Sequence, residues 1–240
     1  MGTSSSFKGK VGRGLLPDDF NLENDKKIES PRSDWTTAKG LMSKYISSNK
    51  SIGSPRQIVR TYIKASGGSG RLIGNTGKNA TIKIGNVFKS FVENGISQTL
   101  NDVGLSIKGN SLAEAMSKLV NYVQEDAVSK NDIAIRTATA NTLEKLLESN
   151  IDDDKLDSET AIVLMQYFFS DLIWQQMLVD FGYSFEKYGN NLDELVQVET
   201  DMQEYIKASV EEAFKQSKDK IFSKDMYDVI LRKSLEIMEA

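Results

Sequence analysis

The sequence predicts an all-α fold: a multi-helix bundle over residues 33–240, carrying a flexible basic N-terminal arm over residues 1–32. Three observations predict it. Apolar residues recur at i, i+3 and i+4 along most of the chain, the spacing of one helical face. No run alternates with period two for long enough to make a strand. Prolines number only 3 in 240 residues, and Ser, Asp and Gly stand where the apolar stretches begin and end.

The arm opens Met1-Gly2-Thr3-Ser4-Ser5-Ser6, followed by Phe7-Lys8-Gly9-Lys10-Val11-Gly12-Arg13-Gly14. Nothing before Phe7 can anchor in a core, and the glycines keep backbone entropy high. With Gly in second place the initiator Met is readily excised, which leaves an unhindered α-amine on Gly2. Such an amine titrates at about 7.7–8.0, so a useful fraction is neutral and nucleophilic near neutral pH. The arm reads as a terminus that another macromolecule grips, and it ends near Ser30-Pro31, where Pro biases Ser30 away from helix.

Asp34 reads as the cap of a first helix to about Ser47, with Trp35, Ala38, Leu41, Met42, Tyr45 and Ile46 on one face. Ser54-Pro55 opens a second helix, to about Ala65, in which Arg56, Arg60 and Lys64 form a basic ridge at i, i+4 and i+8. The Gly-rich stretch 66–79 reads as a flexible connection. A phosphate-loop reading fails on spacing, because Leu72 stands where the first Gly is needed and Asn79 follows Gly77-Lys78 in place of Ser or Thr.

Ala80 to Val92 makes an apolar face ending at Gly95, and a short helix comes next over Ile96–Val103. Ser111 caps the next helix, and Asn131 or Asp132 the one after it. Asp152-Asp153-Asp154 with Asp157 lacks the Gly and Glu of a calcium loop, and reads as acidic residues ahead of a helix that Ser158 caps. That helix, Glu159 to Phe181, is apolar on nearly all sides and should be the buried centre, with Gly182 as its stop. Each fully buried side chain of this kind contributes about 1.5–3 kcal/mol. Next comes a long helix over 192–218 with an acidic outer face. A last helix, capped by Ser223, bears Met226, Val229, Ile230, Leu235 and Ile237. Trp174 and its aromatic neighbours read as core.

Composition removes several function classes. The chain has no Cys and no His, which excludes thiol nucleophiles, disulfides, Ser-His-Asp chemistry and the usual zinc sites. The commonest general acid and base near pH 7 is also missing, so an enzyme becomes the less expected reading although Asp, Glu, Lys or Tyr could still catalyse, and no metal or cofactor is expected. No apolar stretch reaches about 18 residues and no secretory signal opens the chain, so the expected location is cytoplasmic, with no membrane span.

The formal net charge of −4 hides an asymmetry. Residues 1–90 hold 16 Lys+Arg against 6 Asp+Glu, and residues 91–240 hold 14 against 28. A basic-to-neutral helical half (33–150) therefore joins an acidic one (151–240). Such polarity suits two partners, a basic arm that docks back on the acidic body, or two solvated faces.

Several of these residues also carry a family resemblance. Met1–Ser6 with Leu15-Leu16-Pro17-Asp18-Asp19-Phe20 resembles the start of QatB proteins, components of the four-part Qat anti-phage defence systems of bacteria. Trp35-x-x-Ala38-Lys39 through Tyr45 and Arg60-Thr61-Tyr62-x-x-Ala65-Ser66-Gly67-Gly68 resemble that family's small-residue and Gly-rich helix pair. Ile84-Gly85-x-x-x-Lys89-Ser90-Phe91, Gly95-x-x-x-x-Leu100 and Gly109-x-Ser111 resemble its next region. The likeness covers roughly residues 1–150.

The resemblance implies an accessory protein. Its implied companions are an ATPase (QatA), a protein similar to 7-cyano-7-deazaguanine synthase of the QueC family (QatC) and a TatD-like nuclease (QatD). It also implies that Gly2 receives a 7-deazaguanine-type nucleobase from the QueC-like partner. Thr3, Ser4, Ser5 and Ser6 would then lie extended in the partner's pocket, with Lys8, Lys10 and Arg13 steering the arm. Two other readings stand beside it. Met-Gly-x-x-x-Ser satisfies the N-myristoylation pattern, with the arm's bases as a second membrane signal. Arg56, Arg60, Lys64, Arg71 and Lys78, with Lys83 nearby, would instead track a nucleic-acid backbone, although Tyr62 is the only ring near them.

Overall fold

The computed structural model describes residues 32–69, 71–105, 111–125, 129–149, 154–188, 192–217 and 226–240. All regular structure among them is helical. The helices are α1 (Arg32–Ser47), α2 (Pro55–Ala65), α3 (Gly74–Glu93), α4 (Ile96–Asp102), α5 (Leu112–Val123), α6 (Lys130–Glu148), α7 (Ser158–Tyr188), α8 (Leu192–Lys215) and α9 (Met226–Glu239). The arm, with Gly2 to Ser6, Lys8, Lys10 and Arg13, lies outside the described residues, as do Asp152, Asp153 and the Ser223 cap.

Local chemistry sets most helix starts. Ser54 accepts from the Gln57 amide ahead of Pro55, which needs no donor there. Ser111 with Glu114 forms a capping box at α5. At α6 the cap is Ser129, with Asp132 reaching back to its amide, so neither Asn131 nor Asp132 caps that helix. Asp34 falls inside the first turn of α1, where its charge suits the positive end of the helix. At α7, Asp157 accepts from the Thr160 amide at 2.8 Å and Ser158 is the first helical residue. The Thr160 hydroxyl also donates to Asp157, and this bond, helped by the one from the amide, holds the Asp157 carboxyl below its usual range. Asp154 serves α4 instead, accepting from the Ser97 amide at 2.9 Å while its carbonyl accepts from the Ile96 amide at 2.7 Å.

Three elements depart from the sequence expectation. Helix α3 begins at Gly74, inside the stretch expected to be a connection, because Gly77, Ala80 and Thr81 give its first turns a buried face. Helix α7 runs on through Gly182 to Tyr188, since Phe181, Ser184 and Phe185 still pack inward beyond that glycine. In α9 the inward face is Tyr227, Ile230, Leu231, Ser234, Leu235 and Met238, which leaves Val229 48 % exposed.

Helix α7 is the centre of the bundle. It packs against α1, α3, α6 and α8, and α9 closes over α2, α3 and α8. Its Ala161, Leu164, Met165, Phe168, Phe169, Leu172, Ile173, Trp174, Met177 and Phe181 are all buried, as the apolar run predicts. One continuous apolar core joins the basic and acidic halves. Tyr62 of α2 lies between Trp35 and Phe181, with ring centroids 5.8 and 5.2 Å away, and its hydroxyl donates to Asp180 at 2.9 Å. Where α3 crosses α9, the Tyr227 ring lies on Gly85 and donates its hydroxyl to the Gly85 carbonyl at 3.0 Å. A Cβ at Gly85 would sit 2.5 Å from that ring, so the crossing requires glycine.

Candidate functional site

The basic residues expected to meet phosphate separate into three environments. Arg56, Arg60 and Lys64 are exposed along one face of α2, and Arg71 is exposed in the turn before α3. Lys78 pairs with Asp228 of α9 at 3.7 Å. Lys83 donates to the carbonyls of Tyr122 and Val123 at 3.2 and 3.4 Å, and Arg136 donates to those of Gln124 and Glu125. These two cations thus cap the carbonyls at the C-terminal end of α5. Tyr62, the ring nearest the ridge in sequence, is fully buried. Burial, more than the neighbouring Asp180 carboxylate, holds its hydroxyl pKa well above the usual value.

A concavity of a different character lies on the acidic half. A cleft of about 370 Å³ opens between α6, α7 and α8, within the range of about 300–1,000 Å³ common for ligand pockets. Helix α7 supplies Val163, Tyr167 and Asp171, α8 supplies Glu204 and Glu211, and α6 supplies Lys145.

Each charged group has a physical setting. Asp171 is 9 % exposed and accepts from Asn141 of α6 at 2.8 Å and Gln175 at 3.1 Å. Burial raises its carboxyl pKa, and the two amide donors pull it partly back. The Lys145 ammonium stands 4.9 Å from the centre of the Tyr167 ring, a cation–π contact. Burial raises the Tyr167 hydroxyl pKa, with Asp171, Glu144 and Glu148 adding to it by their charge. Lys207 lies 3.9 Å from Glu211. At the edge, Trp174 donates from Nε1 to Glu199 at 3.3 Å, and Gln203 donates to the same oxygen at 3.1 Å. The cleft therefore combines the apolar and aromatic side chains of Val163, Tyr167 and Trp174 with an excess of carboxylates over lysines. It suits a cationic or donor-rich ligand.

Sequence reasoning passed over this cleft. One signal was present: Asp171 is the lone charged residue in the apolar run from Ala161 to Val179, and a charge inside such a run is rarely buried without a partner.

A comparison with protein families matches residues 67–238 to QatB, the Qat anti-phage system associated protein. The chain belongs to the QatB family. The match takes in the acidic half, including the whole α6–α7–α8 cleft, whereas the sequence resemblance rested on residues 1–150. No curated protein and no solved structure matches this QatB-family chain. Among its described residues, no helix is long and apolar enough to cross a membrane.

Proposed function

We propose that this QatB-family protein is a non-catalytic component of the Qat system whose Gly2 amine is presented to a QueC-like partner. That partner activates a 7-deazaguanine-type carboxylate, and the neutral Gly2 amine attacks the activated carbonyl. An amide forms, the activating group departs, and the amine loses its proton. The observation that carries the reading is the opening Met1-Gly2-Thr3-Ser4-Ser5-Ser6 in a chain that belongs to this family.

Chain length and composition support it. Gly2 stands thirty residues ahead of Arg32, where the first described helix begins, and thirty residues span up to about 100 Å when extended. Without Cys or His in the chain, the N-terminal amine is the one group in the sequence with an ordinary pKa near neutrality that can act as a nucleophile. Lys8, Lys10 and Arg13 steer it toward an anionic, nucleotide-loaded surface, while the helical body docks the partner. QatA and QatD complete the proposed assembly.

The test is the intact mass of the full chain co-expressed with its QueC-like partner. The expected result is one added nucleobase, mapped to Gly2 by peptide fragmentation and lost when Gly2→Pro replaces the primary amine. An unmodified terminus under those conditions refutes the reading.

A further inference from the structure

We propose that the cleft between α6, α7 and α8 is the docking groove for this chain's own basic segment, Phe7–Arg13. The inference goes beyond the presentation of Gly2 and does not depend on it. Three properties of the cleft define its occupant. Val163, left 47 % exposed, and Tyr167 give it apolar and aromatic surface. Asp171, Glu204 and Glu211 line it, and Glu144 and Glu148 stand close enough to bear on Tyr167. The two lysines that line it are already engaged, Lys145 over the Tyr167 ring and Lys207 beside Glu211. An apolar cleft with surplus carboxylates attracts a segment that pairs apolar side chains with bases.

Phe7-Lys8-Gly9-Lys10-Val11-Gly12-Arg13 fits that description. It carries three cations, no carboxylate and two apolar side chains. In an extended strand, residues two apart share a face. Phe7, Gly9 and Val11 thus point one way, toward Val163 and Tyr167, while Lys8 and Lys10 lie along the acidic rim. Gly9 and Gly12 let the backbone approach closely. The residues between Arg13 and Arg32 extend up to about 60 Å, against a radius of gyration of about 18 Å for a fold of this size. The tether therefore reaches the cleft from either side of the bundle. Docking in this way holds residues 1–6 beside α7 and α8, and a partner's anionic surface competes with the cleft for Lys8, Lys10 and Arg13.

The absence of native cysteine makes the test direct. Spin labels are placed on the full chain at Ser6→Cys and Glu212→Cys, both outside the proposed contacts, and their separation is measured by pulsed electron resonance. A docked segment gives a short, narrow distance distribution. It broadens to that of a free tether in Glu204→Lys/Glu211→Lys, in Lys8→Glu/Lys10→Glu/Arg13→Glu, and at about 1 M salt, where the screening length is about 3 Å. The arm variants touch none of the described helices and keep the test valid if the cleft variants unfold. A broad distribution in the unsubstituted chain, or a narrow one that the charge reversals leave unchanged, overturns the proposal. So does a short distance that vanishes on dilution with unlabelled protein, which would assign the groove to the arm of a second copy. No partner enzyme is needed, so failure here leaves the Gly2 reading standing, and an unmodified Gly2 leaves this one standing.

Discussion

Replacing Gly85 with alanine tests how α3 and α9 are held together. Ala is the better helix former by about 1 kcal/mol, so a purely local argument predicts stabilisation. The tertiary structure predicts the opposite. The new Cβ would lie 2.5 Å from both Cε2 and Cζ of Tyr227 and 2.7 Å from Cδ2, where carbon atoms prefer about 3.5–4.0 Å. Tyr227 is fully buried, so its ring has no open space to enter. Overpacking of this kind costs about 1–3 kcal/mol. Displacing the ring also weakens its hydrogen bond to the Gly85 carbonyl, worth about 0.5–1.5 kcal/mol. The net loss is about 1–3 kcal/mol. With a urea dependence of about 2 kcal/mol per molar, the midpoint falls by about 0.5–1.5 M.

Gly40 and Gly182 provide the control, because each is helical with nothing within 4 Å of an added Cβ. Alanine at either should raise the midpoint, by up to about 0.5 M. Pairing Gly85→Ala with Tyr227→Leu should recover part of the loss, a coupling of about 1 kcal/mol or more. Urea titrations followed by circular dichroism read all of these. A Gly85→Ala midpoint at or above that of the parent protein would refute the packing argument.

Asp171 makes stability depend on pH. Its folded pKa is raised by burial, so the folded chain binds a proton more tightly than the unfolded one. Stability therefore falls as pH rises from about 3.9, the unfolded value, through the folded value. Asp171→Asn removes this slope, and parallel urea-midpoint profiles for the two proteins between about pH 3.5 and 7 would show the carboxyl unperturbed. Ser129→Ala removes the hydroxyl that accepts from the Asp132 amide at 3.2 Å and should cost about 0.5–2 kcal/mol. An unchanged thermal midpoint would mean that the α6 cap contributes nothing.

Much of the fold was legible because helices are specified by residues within a turn or so of each other. The apolar spacing placed the inward face of α1 and the apolar stretch of α3, and Ser54 and Ser111 marked the starts of α2 and α5 by side-chain chemistry alone. Gly182 misled for the complementary reason. A glycine weakens a helix by about 1 kcal/mol, and the packing of Phe181, Ser184 and Phe185 outweighs that. The glycines and asparagines of 74–79 read as a connection until Gly77 and Ala80 proved to be buried.

The sequence by itself determined that this is a helical protein without Cys or His, basic toward one end and acidic toward the other. Only the tertiary structure decided that Tyr227 lies on Gly85 and that Tyr62 is unavailable to stack on a base. It alone brought Lys145, Asp171 and Glu204 from three helices to one cleft. Helical faces and caps arise from neighbours along the chain. Which face meets which depends on contacts between residues far apart in sequence, and no local pattern records that pairing.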